Sequence, residues 1–154
     1  MLETTLVYLI HENTIILAKP AERKKYRYLN GYGGKVESSE TNTQAAVREL
    51  YEESNVKIEE KDLELIGINT FLFKDQEVYP DTLTKVYIVR NFDPSSVKES
   101  EEMSPLEFKL SNPPLDQMWP ADQIFFPFVV KGEYFEIEFR YGAVDELLGW
   151  TRLK

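Results

Sequence analysis

The sequence predicts a single domain of the mixed α/β class. Several short runs are rich in β-branched and aromatic residues, and one stretch has the spacing and capping of an amphipathic helix. No internal repeat, linker or low-complexity segment interrupts the 154 residues. A chain of this length buries roughly 68–70% of its unfolded surface, so it needs no disulfide or metal to fold. We therefore expect one domain spanning residues 1–154.

The first 35 residues are predicted to form a hairpin, a basic loop and a glycine-rich segment. Residues 4–10 and 14–18 are β-rich runs, and residues 11–13 between them form the predicted turn. Residues 20–27 contain four basic side chains and are the most positive stretch of the chain. Residues 30–34 carry three glycines in four positions, so their backbone can approach a ligand closely.

Residues 41–54 give the clearest helix prediction. Thr41 and Gln44 have the spacing of a capping box, in which each side chain bonds the other residue's backbone N–H. At 100° per residue one face of this helix is mainly apolar, and we predict that it faces the core. This face consists of Val47, Leu50, Tyr51 and Ser54.

Three glutamates, Glu49, Glu52 and Glu53, crowd together on the opposite, exposed face of this helix. Like charges at this spacing destabilise a helix by roughly 0.2–0.5 kcal/mol per pair. The cluster is either a solvated acidic face or a magnesium site, since a hard cation binds several oxygens and removes the repulsion. The glycine-rich segment just upstream favours the metal site, because a metal–phosphate site also needs backbone donors.

The second half of the chain is predicted to be mainly β-structure. Strands are expected at residues 64–73, 83–91 and 106–110, with a polar, acidic loop at 93–104. Residues 112–127 are rich in proline and aromatic residues, and we expect an irregular segment with a short helical turn. Residues 133–141 alternate as a strand. Its inward face is predicted to be Phe135, Ile137, Phe139 and Tyr141. Residues 143–153 fit either a helix or the returning strand of a hairpin at Gly142.

Composition excludes several classes of function. Eighteen basic and 27 acidic residues give a net charge of −9, which disfavours binding to a nucleic-acid polymer. No apolar run approaches the ~20 residues of a membrane span, and residues 1–3 begin no basic signal peptide. The chain has no cysteine and one histidine, so any metal site must use carboxylates, which favours Mg²⁺ with Mn²⁺ as an alternative. These features fit a cytoplasmic protein.

The stretch Gly34-x5-Glu40-x7-Arg48-Glu49-Leu50-x-Glu52-Glu53-x-Asn55-Val56 closely resembles the Nudix box, G-x5-E-x7-R-E-U-x-E-E-x-G-U, where U is aliphatic. Every spacing in residues 34–56 matches. Asn55 replaces the glycine of the motif at the end of the helix. Because asparagine also tolerates the left-handed conformation of a helix cap, we expect this exchange to cost little.

The resemblance implies a Nudix fold, in which a mixed sheet is flanked by helices, and Mg²⁺-dependent hydrolysis of a nucleoside diphosphate derivative. It also implies that Arg48 orients the glutamates, that Glu40 supports the loop, and that a metal-held water attacks phosphorus. The general base stays open between Glu49, Glu53 and a loop carboxylate. By the same resemblance, the metal ligands are Glu49, Glu52, Glu53, the carbonyl of Gly33, and Glu102 from a loop.

Beyond the box, the chain resembles the MutT-like branch, which hydrolyses oxidised purine nucleoside triphosphates such as 8-oxo-dGTP to the monophosphate and pyrophosphate. The residues that match form a plausible purine pocket, with Trp119 as a stacking wall and Asp122 as a partner for guanine N–H groups. Each residue taken alone also has a structural interpretation, in which Trp119 is a packed loop anchor and Phe71 and Phe73 belong to the strand core. The expected substrate-binding residues are Thr5, Asn30, Gly34, Lys35, Phe71, Phe73, Met103, Trp119 and Asp122.

Ala121 is the main departure from this branch, whose mammalian member has two adjacent acids after Trp-Pro. We expect Asp122, without an acidic neighbour, to stay ionised and to favour oxidised guanine over oxidised adenine. Two alternative functions remain. One is hydrolysis of a nucleotide sugar or dinucleotide, and the other is a non-catalytic nucleotide-binding module, which the complete set of glutamates disfavours. The sequence carries no signal for the oligomeric state.

Overall fold

A computed structural model describes residues 1–77, 79–143 and 146–154. Within these residues, eight strands form one mixed sheet and two α-helices pack against it. The strands are β1 (Leu2–His11), β2 (Thr14–Pro20), β3 (Tyr32–Lys35), β4 (Leu63–Phe73), β5 (Thr82–Val89), β6 (Met103–Lys109), β7 (Phe135–Tyr141) and β8 (Leu147–Arg152). The helices are α1 (Asn42–Ser54) and α2 (Pro120–Lys131). The mixed α/β class is confirmed.

The sheet is built around β1 and runs in the order β6-β2-β1-β5-β4-β7-β8, with β3 added beside β1. β1 and β2 form the predicted hairpin, in which His11 lies opposite Thr14. β1 pairs with β5 in parallel and with β3 antiparallel, where Thr5 lies opposite Gly34. The glycine-rich segment is therefore a short strand in the sheet rather than a free loop.

Alternate side chains of β1 enter two separate cores. Tyr8 and Ile10 belong to a core covered by α2, whereas Val7 and Leu9 belong to a core covered by α1. This alternation follows from the period of two in a strand that is buried on both faces. The inward face predicted for residues 135–141 is confirmed, since its four aromatic and aliphatic side chains are buried in the α2 core.

Helix α1 begins and ends as its sequence predicts. Thr41 and Gln44 form both hydrogen bonds of the capping box, and Asn55 caps the helix in the left-handed conformation with φ 68°. The predicted core face is only partly right. Tyr51 is 52% exposed, and the buried positions are Ala45, Ala46, Leu50 and Ser54. The helix is rotated from the predicted orientation, so two of its three glutamates turn towards β3 instead of solvent.

The prediction of an irregular segment at residues 112–127 is wrong from Pro120 onward. Helix α2 starts with Pro120 at its first position. A backbone N–H at this position has no partner within the helix, so its absence in proline costs no hydrogen bond. Pro127 lies inside the helix. A proline inside a helix removes one backbone hydrogen bond. The burial of one apolar face offsets that cost, since Phe125, Phe126 and Val129 are all buried against the sheet.

The segment after Gly142 is a strand, which decides between the two predictions for residues 143–153. β8 pairs antiparallel with β7, and Phe139 lies opposite Trp150. Val144 and Asp145 lie outside the described residues. Neither helix in the described part of the chain is long and apolar enough to span a membrane.

Candidate active site

Two glutamates of α1 lie directly against the glycine-rich strand β3. The Gly33 N–H donates a hydrogen bond of 2.9 Å to Glu53 Oε1. A Cβ atom at position 34 would lie 2.6 Å from the carboxyl carbon of Glu49. A side chain at residue 34 would displace this carboxylate, so the glycine keeps the backbone and the Glu49 carboxylate in close contact.

Arg48 connects the remaining acids of the motif. Its guanidinium donates to both carboxylate oxygens of Glu40, at 3.0 and 2.6 Å, and to the Lys35 carbonyl at 3.2 Å. It also reaches Glu49 at 3.0 Å and Glu52 at 3.3 Å. Glu40 in turn accepts a hydrogen bond from the Glu37 N–H, so Arg48 ties the loop before α1 to the helix itself. This arrangement supports the expected positioning roles of Arg48 and Glu40.

Glu102 reaches the same region from the loop before β6. It forms ion pairs with Arg23 and Lys24, both from the basic loop. The negative charge of Glu102 raises the pKa of Glu53, and the positive charge of Lys24 lowers it. The acidic cluster thus consists of Glu49, Glu52 and Glu53 from α1 together with Glu102, and the basic loop balances the charge of Glu102.

The pKa values of these acids differ according to their surroundings. Burial, opposed in part by the Gly33 hydrogen bond, raises the pKa of Glu53 to about 7. Burial also raises the pKa of Glu49, against the effect of Arg48. The pKa of Glu40 is lowered, mainly by its hydrogen bonds from Arg48, and that of Glu102 mainly by its hydrogen bond from Lys24.

The donor set fits a hard divalent cation. As they stand, no three acidic or histidine side chains in residues 1–77, 79–143 and 146–154 converge into a ready cation site. Two features nevertheless suit such an ion. Glu49 and Glu53 are partly buried carboxylates that repel each other, so a cation would relieve both their repulsion and their loss of hydration. Glu52 and Glu102 are engaged by Arg48 and Lys24, cations whose place a metal could take.

A cavity of about 420 Å³ lies between the sheet and α2. Its walls are mostly apolar and aromatic, with a few polar groups, which is typical of a small-molecule site. The two glycines that contact the acidic cluster also line this cavity. The other predicted residues found in its wall are Thr5, Asn30, Phe71, Phe73, Met103, Trp119 and Asp122.

Trp119 is held on one side by tyrosines. Its ring lies 4.8 Å from that of Tyr26 and 4.4 Å from that of Tyr28. Trp119 thus serves both as a packed residue and as a wall of the cavity. Phe71 likewise packs in the core, stacked 5.3 Å from Phe139, while it lines the cavity. A second cavity, of about 320 Å³, lies next to Trp119 and is lined by Lys24 and Lys25 from the basic loop.

Asp122 differs from its expected ionisation state. It is only 5% exposed, and its Oδ2 has no hydrogen-bond partner among the described residues. Burial raises its pKa to about 8, so the carboxyl group is mostly protonated at neutral pH. The expectation that Asp122 stays ionised beside Ala121 is therefore wrong, because burial alone favours the neutral acid. The preference for oxidised guanine that we based on this charge loses its support.

Two predicted residues stand apart from the rest. The Lys35 side chain is exposed and is not part of the cavity wall, although its carbonyl accepts a hydrogen bond from Arg48. Glu52 is the most exposed of the three glutamates, whereas Glu49 and Glu53 face β3. Sequence reasoning also missed four wall residues that read in the sequence as ordinary strand, helix or loop positions. These are Asn69, Tyr79, Phe125 and Tyr141.

Comparison with known proteins identifies relatives over nearly the whole chain. A family model described as the NUDIX domain matches residues 2–128. The oxidized purine nucleoside triphosphate hydrolase of Danio rerio is 32% identical over 146 residues, which cover 94% of this chain and 89% of the relative. The protein of the same name from Mus musculus is 29% identical over 147 residues, covering 96% of this chain and 91% of the relative.

A solved structure shows the same fold. The crystal structure of a mutator MutT protein from Bacillus halodurans superposes with a TM-score of 0.83 at 20% identity. The match covers 99% of this chain and 98% of that one. At this level of identity the likeness concerns the fold, including β7 and β8, which lie beyond the residues that the family model matches.

Proposed function

This chain belongs to the Nudix hydrolase family, and from that premise we propose that it hydrolyses oxidised purine nucleoside triphosphates, such as 8-oxo-dGTP, to the monophosphate and pyrophosphate. The proposed cofactor is Mg²⁺, with Mn²⁺ as an alternative. Both relatives reported above carry the name of this activity. The proposed domain is the whole chain, because β7 continues the sheet in register with β4 beyond residue 128.

One observation carries the proposal: the acidic cluster and the aromatic cavity meet at Gly33 and Gly34. These glycines contact Glu53 and Glu49 on one side and line the cavity on the other. A nucleotide with its base in the cavity would place its phosphates beside the acids. This continuity suits a substrate that has a flat heteroaromatic base at one end and a polyphosphate at the other.

The acidic cluster would hold the metal and the reacting phosphates. Glu49, Glu52, Glu53, Glu102 and the Gly33 carbonyl are the proposed ligands. When bound, Mg²⁺ would neutralise phosphate charge and activate a water molecule. Arg48 would position Glu49 through the bonds described above. Glu49, Glu53 and Glu102 are the candidates for the group that accepts the proton of the attacking water.

The cavity would bind the base. Stacking on Trp119 is worth roughly 1–3 kcal/mol per base in comparable sites, and the two tyrosines behind this ring fix its orientation before binding. Asp122, Thr5 and Asn30 supply polar groups for the base edge. A protonated Asp122 can both donate and accept a hydrogen bond, so it can pair with oxidised guanine and with oxidised adenine.

A nucleotide panel tests the proposal directly. The protein is incubated with Mg²⁺ and 8-oxo-dGTP, 2-hydroxy-dATP, dGTP, a nucleotide sugar or a dinucleoside polyphosphate, and pyrophosphate and inorganic phosphate are scored separately. We expect pyrophosphate from the oxidised triphosphates at the highest kcat/KM. A higher kcat/KM for the sugar or dinucleotide would favour the second function, and binding without turnover would favour the non-catalytic module.

We propose two further properties, the partner and the location. The net charge of −9 disfavours a nucleic-acid polymer as partner, so the proposed partner is the free nucleotide. A cytoplasmic location fits the absence of cysteine from the sequence. Fractionation of cells that produce the protein checks the location.

A further inference from the structure

Asn69 is a fully buried amide at the centre of the sheet. It lies on β4, opposite Thr84 of β5 and Ile137 of β7. Its exposed fraction is 0%, and it lines the cavity between the sheet and α2. Neither its Oδ1 nor its Nδ2 finds a hydrogen-bond partner anywhere in the described part of the chain.

This arrangement is unfavourable in the absence of a ligand. A buried polar group without a partner costs about 1–3 kcal/mol, and Asn69 carries both a donor and an acceptor. A leucine of similar size would avoid that cost at this position. The neighbouring Thr84 shows the ordinary solution, since its hydroxyl hydrogen-bonds that of Thr4 at 2.7 Å. An unpartnered amide that lines a cavity is instead suited to a polar group that enters the cavity.

Asn69 shares the cavity with two other unpartnered groups, Thr5 Oγ1 and Asp122 Oδ2. Asp122 comes from α2 and Asn69 from the sheet, so polar atoms approach the cavity from both layers. Aromatic rings, Phe71 and Trp119 among them, line the same cavity. The cavity therefore presents polar partners to more than one edge of a flat ring.

We propose that Asn69 is a specificity-determining residue whose carboxamide binds a base edge that carries an N–H donor beside a carbonyl acceptor. A carboxamide pairs with such an edge through two parallel hydrogen bonds. In 8-oxoguanine this edge is N7–H beside O8, where guanine has only the N7 acceptor and a C–H group. Both bases also carry N1–H beside O6. The inference rests on the proposed function, because it assumes that a purine enters this cavity.

The test uses Asn69→Leu, with Thr70→Val as the matched control. Both changes replace a polar residue of β4 with an apolar one, but Thr70 is the next residue along the strand, and its side chain therefore lies on the other face of the sheet. The affinities of both variants and the wild type for 8-oxo-dGMP and dGMP are measured by calorimetry in EDTA. This readout involves neither metal nor turnover.

We expect Asn69→Leu to weaken 8-oxo-dGMP binding by about 10- to 100-fold, as the loss of two hydrogen bonds implies, while Thr70→Val changes it by less than about twofold. An unchanged dGMP affinity would assign Asn69 to the oxidised edge, and an equal loss would assign it to the N1–H/O6 edge, which distinguishes guanine-type from adenine-type bases. Both results support the proposal. An affinity of Asn69→Leu within twofold of the wild type for both nucleotides would overturn it, and would indicate that a buried water is the partner of the amide.

Thermal stability separates this role from a structural one. Without ligand, Asn69→Leu should melt at or above the temperature of the wild type, because it removes an unpartnered amide from the interior. If this variant does not fold, Asn69→Asp keeps the shape, removes the N–H donor, and should lose affinity for 8-oxo-dGMP in the same way. A wild type that binds neither nucleotide would refute the proposed function, and with it this inference, whereas normal wild-type binding with an unaffected variant refutes the inference alone.

Discussion

The acidic cluster at α1 and the cavity under α2 satisfy their polar groups in opposite ways. In the cluster, Arg48 donates to three glutamates, and Lys24 and Arg23 neutralise Glu102. In the cavity, polar atoms of Thr5, Asn69 and Asp122 have no partner within the described residues. The protein itself pairs most charges of the first region, although Glu49 and Glu53 still repel each other, and the polar atoms of the second region stay unsatisfied until a ligand enters.

This difference predicts how each region affects the stability of the free protein. Charges that are already paired can exchange partners at small cost when a cation and phosphates bind. Buried groups without partners lower the stability of the free protein, and a ligand that pairs with them recovers that free energy as affinity. We therefore expect changes in the cluster to affect turnover, and changes in the cavity to affect binding and stability in opposite directions.

The largest expected effect is that of Glu53→Gln on turnover. Removing one proposed metal ligand should lower kcat for 8-oxo-dGTP roughly a thousandfold, which corresponds to several kcal/mol of lost charge stabilisation. The protein should remain folded, because the change also removes repulsion with Glu49. Steady-state kinetics with Mg²⁺ measure the effect, and Glu107→Gln, an exposed position on β6, is the control. Parental turnover in Glu53→Gln would mean that Glu53 is no metal ligand.

The next effect concerns stability as a function of pH. The folded-state pKa of Asp122, about 8, lies above its ordinary value of 3.8, so the folded protein holds a proton that the unfolded chain has lost. The contribution of this group to the free energy of unfolding therefore falls as the pH rises from about 4 to 8. Asp122→Asn removes that dependence.

Denaturant unfolding at pH 5 and pH 8 checks this prediction without nucleotide. We expect the gain in stability of Asp122→Asn over the wild type to be larger at pH 8, by about 3 kcal/mol. An equal difference at the two pH values would show that Asp122 titrates normally in the folded protein.

The smallest expected effect is that of Trp119→Ala on substrate affinity. Loss of stacking should raise KM for 8-oxo-dGTP by about tenfold, since base stacking contributes roughly 1–3 kcal/mol. Because the ring would contact the base in both the ground state and the transition state, kcat should change less than KM. Phe92→Ala serves as the aromatic control, because Phe92 packs near His11 and does not line the cavity. An unchanged KM in a folded Trp119→Ala variant would leave Trp119 as a packing residue alone.

The two regions also differ in how far the sequence predicts them. The cluster lies mostly within residues 34–56, where local rules for capping, glycine and helical spacing apply, and the capping box and the Asn55 cap are confirmed. The orientation of α1 was less predictable. Ala45 and Ala46, instead of Tyr51, fill the contact with the sheet, because this close approach suits small side chains.

The cavity is assembled from distant segments, and its properties depend on what covers them. The prolines of residues 112–127 suggest an irregular segment, but the burial of Phe125 and Phe126 stabilises a helix there. That helix buries Asp122 and so raises its pKa, which no local pattern could indicate. Asn69 reads as an ordinary strand residue in the sequence. Its unpartnered state results from β4, from the two neighbouring strands β5 and β7, and from α2, and it is visible only in the folded structure.

The most direct test of this division compares Glu53→Gln and Asp122→Leu in two measurements. One is the melting-temperature shift produced by Mg²⁺, and the other is the affinity for 8-oxo-dGMP in EDTA. We predict a crossed pattern, in which Glu53→Gln loses the Mg²⁺ shift and keeps nucleotide affinity, whereas Asp122→Leu, which removes both the donor and the acceptor of the protonated carboxyl group, keeps the shift and loses affinity. If each variant lost both properties or neither, the metal and the base would not be bound by separate regions as proposed.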